Sequence, residues 1–180
     1  MATETKLRQL ADKGCPVYYF YSSERYLVRQ AVTAITRILT ADSDEDATVL
    51  DGAAPEIEQL IMAAGTISFF GTRRVVVLPE IDPAAYSDKD LEELNSTLSS
   101  LENAVVVLGS VFELERSKLK TGKRAQKLIA QCKALGYTEE LAKPKPFELK
   151  MMMIDRAKEQ KTTLPDGAAA ALLERCGEDP

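Results

Sequence analysis

Glu80 and Asp82, two carboxylates just past an apolar run, and Arg73 just before it are residues whose types fit acid–base or phosphate chemistry. In nucleotide-using α/β folds a carboxylate in that place holds magnesium, but only opposite a glycine-rich loop that cradles the phosphates. The corresponding stretch here is Tyr21-Ser22-Ser23-Glu24-Arg25-Tyr26. It has no glycine and no lysine, it is too short to wrap a triphosphate, and Glu24 would repel one. Gly122-Lys123 does not supply the loop either, because Ser117 stands where the earlier glycine belongs and Arg124 where a Ser or Thr belongs. Glu80 therefore reads first as a solvated loop carboxylate. A small nucleotide-binding or phosphoryl-transfer α/β enzyme using Glu80, Asp82 and Arg73 is the alternative.

The sequence contains no histidine, which excludes Ser-His-Asp, Cys-His and histidine-metal chemistry. Cys15, Cys132 and Cys176 are odd in number and widely spaced, so they indicate neither a disulfide framework nor a zinc site, and they fit a reducing cytosol. No catalytic residue, cofactor-binding residue or metal ligand is expected. A net charge of −5 argues against a broad nucleic-acid-binding surface, since Lys and Arg supply most of that affinity. One local basic group, Arg116, Lys118, Lys120, Lys123, Arg124 and Lys127, could touch a phosphate backbone or an acidic partner, with Lys120, Lys123 and Arg124 as the candidates. Its bland reading is a solvated helix face, and Glu113 and Glu115 offset it.

The stretch that fits none of these chemistries is Gly65-Thr66-Ile67-Ser68-Phe69-Phe70-Gly71-Thr72-Arg73-Arg74. Phe69 and Phe70 obey neither a helical nor a strand period, so no pattern places both rings inward. Two readings are open: a plug for the joint between a helix and the sheet, or a hydrophobic anchor offered to a partner.

The surrounding elements follow from period and punctuation. Residues 17–21, 48–50, 73–78, 104–108 and 136–138 read as strands; the valine-rich runs 75–78 and 104–108 have the composition of strands buried on both faces of a parallel sheet. Gly109-Ser110 is expected to end the fourth of them. Residues 5–13 form a short helix closed by Gly14, and residues 24–40 a longer one capped by Ser22 or Ser23. A helix from Pro55 carries Ile57, Leu60, Ile61 and Ala64 on its buried face. Ser87-Asp88-Lys89-Asp90, with Tyr86 and Leu91 as a staple, starts the helix of Leu91, Leu94, Leu98 and Leu101. The basic stretch 116–127 leads into a helix with Ala125, Leu128, Ile129, Cys132 and Leu135 inward. Alternating strands and helices imply an α/β domain with a mostly parallel sheet flanked by helices.

Lys143-Pro144-Lys145-Pro146 breaks this pattern as a linker. The expected domains are residues 1–142 and residues 143–180, the latter a linker and two helices that begin an all-helical domain. No apolar run approaches a membrane span, and the N-terminus has no signal-peptide core, so a soluble, cytoplasmic protein without membrane contact is expected.

In element order the chain resembles the N-terminal part of the delta subunit of the bacterial DNA polymerase III clamp loader. The resemblance rests on Tyr18-Tyr19-Phe20-Tyr21-Ser22-Ser23-Glu24-Arg25-Tyr26-Leu27, similar to the family's strand, turn and Tyr-Leu. It rests also on Ile67-Ser68-Phe69-Phe70-Gly71-Thr72-Arg73-Arg74-Val75-Val76-Val77, similar to the family's apolar segment, Arg and valine-rich strand. Ser22-Ser23 replaces the glycine common at the family's first turn. The resemblance implies an AAA+-like, P-loop-type fold that has lost its ATP site, followed by the start of a small helical lid. It implies a non-catalytic subunit of a DNA-directed DNA polymerase holoenzyme, which grips the sliding clamp (the beta subunit) through Ile67, Phe69 and Phe70 and favours ring opening for loading onto primed DNA. Further partners implied for the full-length protein are the tau/gamma and delta prime subunits, with DNA contacted indirectly.

Overall fold

Repetition of strand and helix gives, in chain order, α1 (Glu4–Ala11), β1 (Val17–Ser22), α2 (Arg25–Leu39), β2 (Thr48–Val49), α3 (Ile57–Gly65), β3 (Arg74–Leu78) and α4 (Asp88–Ser99). Then follow β4 (Ala104–Val111), β5 (Leu114–Glu115), β6 (Lys118–Leu119), α5 (Lys123–Leu135), β7 (Tyr137–Glu140), α6 (Pro146–Glu159) and α7 (Asp166–Cys176). The computed structural model describes residues 4–41, 43, 45–65, 73–116 and 118–176. The chain divides into two compact units, with the boundary in sequence between Leu141 and Ala142.

In the first unit the three most apolar runs become the inner strands of a five-stranded sheet ordered β2-β3-β4-β1-β7, with every pair parallel. Side chains alternate across it, as a pleated strand requires. Val17, Tyr19, Val76, Leu78, Val106 and Leu108 join Ile57, Leu60, Leu91, Leu94, Leu98, Leu128 and Cys132 of α3, α4 and α5 in one core. The intervening residues face the other way, where the Tyr18 hydroxyl donates to the Leu10 carbonyl of α1 and α2 packs along β4 and β1. Ser87 caps α4 by accepting from the Asp90 amide at 3.1 Å, and Tyr86 and Leu91 are both buried beside it.

The structure corrects several local expectations. Gly109 and Ser110 do not end β4, which runs on to Val111. A side chain at 109 would meet the Pro79 carbonyl oxygen at 2.2 Å and Val28 at 2.8 Å, so glycine is there because the chain leaving β3 crosses over it. The Ile81 amide donates to the Gly109 carbonyl at 2.8 Å, the Ser110 hydroxyl donates to the Ile81 carbonyl, and the Tyr19 hydroxyl donates to Ser110. The N-cap of α2 is Glu24, without a side-chain cap bond, whereas Ser22 belongs to β1. Part of the basic stretch is the antiparallel hairpin β5–β6, turned at Arg116 with φ of 50°. Ile61, expected inward, lies on the surface of α3.

In the second unit α6 starts with Pro146 at its first turn and the Glu148 carboxylate accepting from the Lys145 amide at 2.7 Å, and it packs against α7. Lys150 pairs with Asp166 at 2.7 Å across the two helices.

Two measurements test this packing. Gly109→Ala forces a methyl into the Pro79 backbone and should lower stability by about 3 kcal/mol in urea unfolding; an unchanged midpoint would place the crossing elsewhere. Burial pushes Cys132 from the ordinary 9.0 to about 12, and Tyr18 and Tyr86 from 10.0 to about 12. These groups stay protonated in the folded chain while the unfolded chain loses their protons, so their stability contribution is complete below pH 9 and is lost as pH rises toward 12. The urea midpoint should therefore fall steadily over that interval, and a flat profile would contradict the burial.

Candidate functional site

The carboxyl ends of parallel strands are where α/β folds bind ligands, and here the turn after β1 at that edge is filled by the chain's own contacts. Only Ser23 and Glu24 separate β1 from α2. Ser22, fully buried, donates its hydroxyl to the Leu141 carbonyl at 2.6 Å and accepts from the Glu24 amide at 3.1 Å, while its carbonyl accepts from Phe112 at 2.8 Å. Arg25, the first residue of α2, contacts Glu80 at 2.6 Å, and Arg29 approaches the same carboxylate at 3.9 Å. Backbone amides and a lysine that a phosphate would need are thus replaced by a hydroxyl-capped turn and an ion pair. These residues do not fit a nucleoside triphosphate.

The residues of the enzymatic alternative are not brought together. Glu80 and Asp82 follow the end of β3 and Arg73 precedes its start, so the five residues of the strand hold them about 16 Å apart. Arg73 instead donates to the Gly14 carbonyl at 2.8 Å and to Ala104 at 3.4 Å. Among the described residues no group of three or more His, Cys, Asp or Glu is close enough to hold a metal ion.

Lys120, Lys123 and Arg124 are brought together, lining with Asp82 and Phe112 a cleft of about 220 Å³ at the start of α5. Much of their charge is engaged by acidic neighbours. Arg124 pairs with Asp88 of α4 at 2.7 Å, which raises the guanidinium's pKa and lowers the carboxyl's, Lys127 pairs with Glu92 at 3.1 Å, and Lys120 lies 3.8 Å from Glu113. The sequence shows the basic run and Glu113 beside it but not the pairing with Asp88 and Glu92, because those two carboxylates lie on another helix. Lys123 is exposed.

Ile67, Phe69 and Phe70 lie outside the described residues, within 66–72. The ends of that segment are described. It leaves α3 at Gly65 and enters β3 beyond Arg73, at the amino end of the sheet, opposite the edge where Arg25 meets Glu80. Arg74 is held there by Glu45 at 2.8 Å.

A five-stranded parallel sheet in this order, with helices on both faces, makes this an α/β protein whose fold is similar to that of clamp-loader proteins. The chain belongs to the family described as DNA polymerase III, delta subunit, which matches residues 18–135. Its fold is similar to that of the Bacillus subtilis DNA clamp loader delta protein (TM-score 0.61, 23% identity), over 95% of this chain and 52% of that one. It is also similar to a DNA polymerase III gamma subunit-related protein of Thermotoga maritima (TM-score 0.57, 15% identity), over 94% of this chain and 57% of that one. The chain thus spans about half the length of the Bacillus subtilis protein. No curated protein sequence gives a significant match. Among the described residues no helix is long and apolar enough to cross a membrane.

A nucleotide that bound only the folded chain would raise its melting temperature by mass action. Millimolar ATP with magnesium should leave the thermal midpoint unchanged, and a clear rise would restore the enzymatic alternative.

Proposed function

We propose that this chain is a non-catalytic clamp-loader subunit that docks on the sliding clamp through Ile67, Phe69 and Phe70. Membership of the delta-subunit family carries this reading, because the matched span 18–135 runs through all three residues. The filled turn at Ser22, Arg25 and Glu80 supports it, since a subunit without a nucleotide site must act by binding rather than by hydrolysis. Apolar side chains in a clamp pocket would contribute on the order of 1.5–3 kcal/mol each. Docking favours an opened ring only to the extent that the open form is bound more tightly than the closed one.

Residues 1–142 then form the AAA+-like domain that carries the clamp segment, and residues 143–180 the start of a lid. The beta clamp is the direct partner; the tau/gamma and delta prime subunits are partners of the longer assembly, and the compartment is the bacterial cytoplasm. Contact with DNA phosphate or an acidic partner surface falls to Lys120, Lys123 and Arg124. Lys123, which has no ion pair among the described residues, gives up least in making it.

Binding to purified bacterial sliding clamp, read by calorimetry or surface capture, tests the anchor. The double substitution Phe69→Ala/Phe70→Ala should weaken binding by about 100-fold or more while circular dichroism and the melting temperature stay near wild type. Loss of the fold instead would make the rings core plugs, and a wild-type chain that ignores the clamp would remove this function.

A further inference from the structure

The exposed residues of α2 are Arg25, Tyr26, Arg29, Thr33 and Arg37, and every other residue of the helix is buried or partly buried. They recur at three and four, so they form one stripe along the outside, on the face of the sheet opposite α3, α4 and α5. From Arg25 to Arg37 the stripe runs about 18 Å along the helix axis. Three of its five residues are arginines, and α2 contains no Asp or Glu in a chain whose net charge is −5. Arg25 and Arg29 approach one carboxylate, Glu80, at 2.6 and 3.9 Å, so two guanidinium charges meet a single negative one. Both stay largely in water, their side chains 65% and 68% exposed. Tyr26 stands between them in sequence, 47% exposed, and among the described residues of this unit it is the only exposed aromatic ring.

We infer that this face of α2 binds single-stranded nucleic acid, with the arginines on backbone phosphates and the Tyr26 ring stacked on a base. Arginine forks suit phosphate oxygens, and a ring set among them gives an unpaired base a surface to stack on. An acidic protein surface would use the arginines and leave the ring without a role. Paired bases present no free face to Tyr26, so a duplex gains only the phosphate contacts. A helix face is convex and encloses no small ligand, whereas an extended polyanion can lie along it. The stripe shares no residue with the clamp segment or with Lys120, Lys123 and Arg124, so it stands or falls separately from both.

The test is fluorescence anisotropy of the 180-residue chain with a labelled oligothymidine of about 20 nucleotides, beside a duplex of the same length. Wild type should bind the single strand about tenfold more tightly than the duplex and lose about tenfold in affinity between roughly 50 and 200 mM salt. Arg29→Gln/Arg37→Gln should weaken binding by about tenfold and flatten the salt dependence. Tyr26→Leu should weaken it by about fivefold, whereas Tyr26→Phe, which keeps the ring, should match wild type. Tyr26→Gln replaces the leucine variant if that one melts early. Lys120→Ala/Lys123→Ala, the control on the other basic group, should cost about twofold or less. Absence of wild-type binding at low salt, equal affinity for the duplex, or full affinity in the folded arginine or leucine variant overturns the assignment. So does a loss confined to the lysine control, which would move the binding to the start of α5.

Discussion

Everything in the first unit depends on the place where the chain leaving β3 passes over β4. The turn at Pro79 and the strand β4 can touch there only because position 109 has no side chain. Close approach buries polar groups, and each must find a partner inside the protein. They do: Ile81 uses its amide on Gly109 and its carbonyl on Ser110, and Ser110 accepts from Tyr19 of β1. One crossing therefore ties three strands together and fixes Glu80 and Asp82 just beyond it. Tyr19 is held neutral by its burial, its pKa pushed well above the ordinary phenol value.

That crossing also decides what the carboxyl edge of the sheet can do. With Glu80 fixed, Arg25 at the first turn of α2 is near enough to neutralise it, and the Ser22 hydroxyl takes up the Glu24 amide in the turn between β1 and α2. An exposed ion pair contributes little stability. Its effect is on chemistry: the carboxylate that would hold magnesium is paired with an arginine, and the turn that would wrap phosphates is two residues long.

Much of the fold was legible because its signals are local. The valines of β3 and β4, the aromatic run of β1 and the three-four spacing of α2 and α5 each specify an element within a dozen residues. The misses are long-range. Gly109-Ser110 has the composition of a turn, and only the passage of Pro79 and Ile81 above it makes it strand. Ile61 has the spacing of a core residue, and only the seating of Ile57 and Leu60 against β3 turns it outward. The β5–β6 hairpin bends at Arg116, a residue with no intrinsic preference for positive φ, so no turn signal precedes it. The Arg25–Glu80 pair joins residues 55 positions apart, and periodicity carries no information about such pairs. Of the site itself, the missing phosphate loop was visible in residue types alone, whereas the aromatic segment was visible only as a departure from every period, which singles out a stretch without assigning it a role.

An anchor transmits force only if its base is rigid, and the base of segment 66–72 meets that requirement on its strand side. Arg73 spans from the Gly14 carbonyl after α1 to the Ala104 carbonyl of β4, and Arg74 is joined to Glu45 in the loop before β2. The Arg74 amide also donates to Asn103 at 3.0 Å. Four separate stretches of chain thus converge where the segment enters the sheet, so a pull on the segment would be shared by the whole sheet rather than absorbed by fraying of one strand end. The helix side is different: α3 ends at Gly65 with Ile61 and Met62 in water. Under the proposed reading the strand side is the end of the segment that the sheet braces.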